Sequence, residues 1–195
     1  MDGALLFLPS VRHLQPPRRN TMPAALLIID MQVGLFHGPE KPYQSERVLA
    51  NIQRLIAQAR ANQVPIFAVR HTGPDGSPIA AGSPFWQLLP ALELDAEIDT
   101  LFDKSRPNAF HGTDLARQLL AAQVEDLYVV GMKSQFCIDS TCRSAADLGF
   151  RPSLVADAHT CMDTAALPAE AIINHHNATL GAAFARLIDS TDVRF

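Results

Sequence analysis

A chain of 195 residues with 48% hydrophobic, 18% charged and 7% aromatic residues can bury one substantial core, which excludes a disordered protein. Sixteen Lys plus Arg against twenty Asp plus Glu give a formal charge of -4, and the charges are scattered, so nothing points to a nucleic-acid or anionic-membrane partner. No apolar run reaches the roughly 18 residues needed to span a bilayer, which leaves small molecules as the expected partners.

Residues 1–22 mix Pro9, Pro16, Pro17, Arg18 and Arg19 with no apolar period and are expected to form an N-terminal extension outside one domain over residues 23–195. Ala4–Leu8 follows an acidic residue and runs into Pro9, so no signal peptide is expected there, and Met22 is a candidate start. Ala24–Ile29 is a short apolar run ending at Asp30, the pattern of a strand buried on both faces. Ser45 is expected to cap a helix whose Val48, Leu49, Ile52, Leu55, Ile56 and Ala59 share one face, and Pro65 introduces a second strand, Ile66–Val69. The Gly- and Pro-rich stretch from His71 to Pro90 holds Trp86, the single tryptophan, and reads as a long functional loop. Ile98–Asp103 is expected as a third strand, followed by a helix capped by Thr113 with Leu115, Leu119 and Leu120 inward. Leu127–Val130 gives a fourth strand closed by Gly131, and Phe136–Leu148 a helix stopped by Gly149. Ser153–Val155, a helix over Ala169–Leu180 and Ala185–Ile188 complete the pattern. Short apolar strands alternating with helices imply an α/β fold: a mostly parallel, five- or six-stranded sheet of Rossmann-like type covered on both faces.

Ligands of such sheets bind beyond the carboxyl ends of the strands. Three polar residues fall there: Asp30, Lys104 and Cys137. Singly they read as a turn cap, a solvated charge and a small core residue. Together they supply a base, an orienting cation and a nucleophile, the set that thiol catalysis needs. Lys104 is one of only three lysines in the chain. Cys137 is expected in the first turn of a helix, where backbone N–H groups favour the thiolate.

The segments Leu26–Phe36 (LLIIDMQVGLF), Phe102–Leu115 (FDKSRPNAFHGTDL) and Val129–Phe150 (VVGMKSQFCIDSTCRSAADLGF) resemble the isochorismatase-like cysteine hydrolases, a superfamily that includes nicotinamidases and N-carbamoylsarcosine amidase. The resemblance runs from Pro23 to the C-terminus. It implies a three-layer α/β/α sandwich and a catalytic triad of Asp30, Lys104 and Cys137. It also implies an oxyanion hole from the backbone N–H groups of Lys133 and Cys137, with a cis peptide at Met132–Lys133. Cys137 would attack a carbonyl carbon, Asp30 would shuttle the proton and Lys104 would hold Asp30 ionised, so that a C–N bond of a small amide, imide or ureido compound is cleaved through a thioester without a cofactor. Cys137 speaks against isochorismatase chemistry proper, where the resemblance implies a replaced cysteine.

Nicotinamidases of this superfamily bind a metal through an Asp-x-His and a further His after the second strand. Here that loop, Arg70–Ile79, offers His71 and Asp75 and no second His before His111, so no metal site is expected. Phe136, His111, Phe110, Trp86 and His71 lie near strand ends and are the candidates to line a substrate pocket. His159, His175 and His176 read as core or interface residues, because the adjacent pair diverges by about 100° on a helix. Cys142 reads as a structural thiol. The three cysteines, Cys137, Cys142 and Cys161, form no disulfide framework, so a cytoplasmic location is expected. Apolar residues over 167–184 could supply a homo-oligomer interface, as a dimer or tetramer. The rival readings are a metal-dependent nicotinamidase and a non-catalytic binding or redox protein on a flavodoxin-like sheet.

Overall fold

The computed structural model describes residues 23–195. The extension expected over residues 1–22 lies outside the described residues. Six parallel strands form one sheet in the order β3-β2-β1-β4-β5-β6: β1 Ala24–Ile29, β2 Ile66–His71, β3 Thr100–Lys104, β4 Asp126–Met132, β5 Arg151–Thr160 and β6 Arg186–Ile188. The chain builds outward from β1 to β2 and β3, then returns to place β4 on the other side of β1. The carboxyl ends of β1 and β4 therefore flank the crevice where strand order reverses.

Successive side chains of a strand face opposite sides of the sheet, and β1 shows what that does. Leu26 and Ile28 pack with Val48, Ile52, Leu55, Ile56 and Ala59 of helix α2 (Ser45–Ala61) on one face. Ala25, Leu27 and Ile29 pack on the other face with Leu115 and Leu119 of α3 (Leu115–Ala121), Cys142 and Ala145 of α4 (Asp139–Asp147) and Leu180 of α5 (Ala169–Ala183). The result is the three-layer sandwich. A one-turn helix α1, Val33–Phe36, follows β1 directly. Among the described residues, no helix is long and apolar enough to cross a membrane.

Several local expectations are corrected. Leu120 points outward at 66% exposure, because α3 turns only Leu115 and Leu119 inward; Ile98, at 68%, precedes β3 rather than starting it. Ser45 is the first residue of α2 and makes no capping bond; Gln44 precedes it in the left-handed region. Gly131 lies inside β4 rather than closing it, at φ 119°. A Cβ there would stand 2.1 Å from the Ile29 carbonyl oxygen, so only glycine lets β4 approach β1 this closely. β5 is far longer than Ser153–Val155: it pairs with Val129 at Leu154 and with Gly131 at His159, so the register shifts and β5 carries a bulge between Leu154 and His159. Gly149 does end the helical stretch, at φ 88°.

Candidate active site

Asp30 follows β1 at φ 53°, a left-handed conformation that Asp tolerates better than most residues. The turn puts its carboxylate beside Cys137. Lys104 is the last residue of β3, and its Cα pairs with that of His71 at the end of β2. Its stem therefore crosses the end of β2 to reach Asp30, where Nζ donates to Oδ2 at 2.7 Å. The same ammonium lies 3.2 Å from Cys137 Sγ and 3.2 Å from His71 Nδ1. Lys104 and Asp30 are both essentially dry, with side chains 0% and 1% exposed. Asp30 Oδ1 is buried and receives no N–H or O–H donor, which leaves it open to the thiol.

Cys137 sits in a π turn, Ser134–Ile138, between β4 and α4. Cys137 thus falls in the first turn of a helical stretch, as expected. That turn is of π form, starts before Phe136 and runs straight into α4, and the expected preference for the thiolate is opposed by burial. Burial and the negative charge of Asp30 push the thiol up to about 12, and Lys104 only partly opposes them. Burial likewise raises the Asp30 carboxyl above its ordinary range, against the pull of Lys104. Both shifts favour a protonated Cys137 thiol beside the Asp30 carboxyl. The Met132–Lys133 peptide that leads into this turn is cis.

Donor atoms of Asp30, His71 and Cys137 lie within 4.8 Å of one another, a spacing that a metal ion could bridge. Lys104 Nζ already contacts all three residues. A fixed ammonium takes up the charge and the volume that a metal cation would need, so this donor set does not fit a metal while Lys104 is in place. Asp75 and His111, the other ligand candidates, are exposed.

Of the five pocket candidates, the structure joins His71 directly to the cluster. Phe136, next to Cys137, is 54% exposed. Trp86 donates its indole N–H to Thr72 Oγ1 at 2.8 Å and is covered by the Arg70 guanidinium 3.7 Å from its ring centroid. Phe110 turns into packing, stacked on Phe150 at 5.8 Å. His111 is exposed, with its backbone N–H on Asn108.

Two supporting groups escaped sequence reasoning. Gln32, fully buried, accepts the His71 N–H at 2.8 Å and donates to the carbonyls of His71 and Trp86 at 3.0 and 2.8 Å, tying the long loop to the end of β2. Ser134 Oγ, in the Cys137 turn, bonds His159 Nδ1 at 2.8 Å, and His159 Nε2 bonds Asn177 Oδ1 of α5 at 2.8 Å. Burial holds His159 down to about 4, so it is neutral. The only sequence signal for Gln32 was a polar residue two places after Asp30 within an apolar run.

The isochorismatase domain family matches residues 24–192. Streptothricin hydrolase of Streptomyces noursei is 33% identical over 144 residues, which are 74% of this chain and 52% of that protein. N-carbamoylsarcosine amidase of an Arthrobacter species is 30% identical over 124 residues, 55% of this chain and 47% of that protein. The chain spans about half the length of these curated relatives. An isochorismatase structure from Pseudomonas putida superposes with a TM-score of 0.82 at 33% identity, covering 89% of this chain and 91% of that one.

Proposed function

Because the chain belongs to the isochorismatase family, we propose that it is a cysteine hydrolase cleaving a C–N bond of a small amide, imide or ureido compound, with Asp30, Lys104 and Cys137 as its catalytic residues. The observation that carries this reading is the Lys104 ammonium bonded to both Asp30 Oδ2 and Cys137 Sγ while Asp30 Oδ1 stays open. The thiol proton passes to Asp30 as sulfur bonds to the carbonyl carbon, and the carbonyl becomes an oxyanion facing the backbone N–H groups of Lys133 and Cys137. Collapse expels the amine, which takes the proton from Asp30 and leaves a thioester. Water then attacks the thioester, Asp30 accepts its proton and returns it to sulfur, and the acid leaves. Relatives named for streptothricin hydrolysis and N-carbamoylsarcosine cleavage support a small-molecule substrate.

The three free, buried cysteines suit a reducing, cytoplasmic setting. Leu167, 49% exposed just before α5, suits the homo-oligomer reading. The test is ammonia or amine release across small amides, imides and ureides, with and without a strong chelator. Cys137→Ala is expected to remove turnover with the melting curve kept, and Asp30→Asn and Lys104→Ala each to cost at least about a hundredfold. The double variant is expected to lose far less than the product of the two single losses. Retained activity in Cys137→Ala would sink the reading; loss on chelation restored by zinc would favour a metal-dependent nicotinamidase.

A further inference from the structure

A lysine ammonium carries three N–H donors and no acceptor. Lys104 directs them at Asp30 Oδ2, Cys137 Sγ and His71 Nδ1. The third contact is a hydrogen bond only if Nδ1 offers its lone pair, so donor balance puts the single ring proton of His71 on Nε2. Among the described residues nothing accepts from Nε2, although the ring is half-buried and one of its nitrogens lies within 4.8 Å of Cys137 Sγ. The backbone that carries the ring is held by Gln32, which bonds both the N–H and the carbonyl of His71, and the ring itself meets Lys104 at Nδ1. An unpartnered N–H on a half-buried ring this close to Cys137 Sγ is within reach of an acceptor a few bonds from a carbonyl seated on that sulfur.

We infer that His71 is a specificity-determining residue whose Nε2–H donates to a second acceptor atom of the substrate, next to the carbonyl that Cys137 attacks. The oxyanion of the attacked carbonyl is served by backbone N–H groups in the reading above, on which this inference rests. The His71 donor is therefore left for a different atom. It selects carbonyl compounds that carry another oxygen acceptor a few bonds from the scissile carbon, as ureides and imides do, over amides with a hydrocarbon chain there. A site built to hydrogen-bond a substrate group discriminates against the analogue lacking it, since its own polar group is then left unpaired.

The test uses the full chain and matched substrates: N-acetylurea against butanamide, and succinimide against 2-pyrrolidinone. The readout is the ratio of kcat/KM within each pair, which cancels intrinsic reactivity when compared between proteins. His71→Asn keeps an acceptor near Lys104 but lacks the reach of Nε2, and is expected to lower the ratio at least about tenfold. His71→Gln, whose amide N–H reaches farther, is expected to recover part of it. A His71 that merely supports Lys104 would slow both members of a pair alike and leave the ratio unmoved, which overturns the inference. So does turnover of butanamide and 2-pyrrolidinone with none of the ureide or imide. Melting curves show whether either variant is folded, and a ratio unmoved in whichever variant folds is decisive. The reading beneath the inference fails separately, by activity surviving in Cys137→Ala.

Discussion

A thiol held up to about 12 by burial and a neighbouring carboxylate reacts slowly with electrophiles that bring no means of moving its proton. Alkylation of Cys137 by iodoacetamide, followed by peptide mass spectrometry, is expected to be slow at pH 7 and to rise roughly tenfold per pH unit from 8 to 10 without a plateau, because the thiolate fraction grows at that rate below the pKa. A plateau below pH 9 would mean that Lys104 outweighs burial and that the thiolate pre-exists. Residue types at strand ends made Asp30, Lys104 and Cys137 legible in the sequence. Their electrostatics were not, because burial depends on what the fold stacks around them. Gln32 was equally hidden: its partners lie 39 and 54 residues away, and no local pattern encodes such a bond.

At the scale of elements, the lesson is in β4 and β5. The apolar core of each was legible, but their true lengths depend on a glycine and a bulge that break alternation. Gly131→Ala forces a Cβ into the Ile29 carbonyl at a backbone angle that side chains avoid. It is expected to cost more than about 2 kcal/mol in urea unfolding and to lower activity further, since Ile29 leads into Asp30. The bulge also carries β5 on to His159, whose ring links the Cys137 turn to α5. Its folded pKa, about 4, lies below the ordinary 6.5, so in the intervening range the unfolded chain binds a proton that the folded chain refuses. His159 therefore contributes stability that is full above pH 6.5 and lost as pH falls toward 4, on the order of 3 kcal/mol. His71, also held below its ordinary value by burial and Lys104, acts in the same direction. Urea midpoints at pH 7, 5.5 and 4.5 are expected to fall less steeply for His159→Gln than for the wild type.

For the whole molecule, the sheet order decides which parts of the site are well protected. Asp30 and Cys137 depend on β1 and β4, central strands whose middles are fully buried. Lys104 depends on β3, which pairs only with β2, and of whose residues Thr100 to Asp103 none is fully buried. An edge strand with few buried contacts frays at lower free energy than the centre of a sheet. Each fraying event of β3 withdraws the ammonium from its three partners, Asp30, Cys137 and His71, and parts the cluster while the rest of the molecule stays folded. Amide hydrogens of Leu101–Lys104 are therefore expected to exchange with deuterium well before those of Leu26–Ile29. In rising urea, activity is expected to fade ahead of the far-ultraviolet helix signal and to return at once on dilution. Coincident loss of the two signals would show that β3 opens only with the whole domain. If they separate, catalysis in this protein is gated by the outermost strand of its sheet, and a substitution that tightens that edge would extend the working temperature without touching a reacting atom.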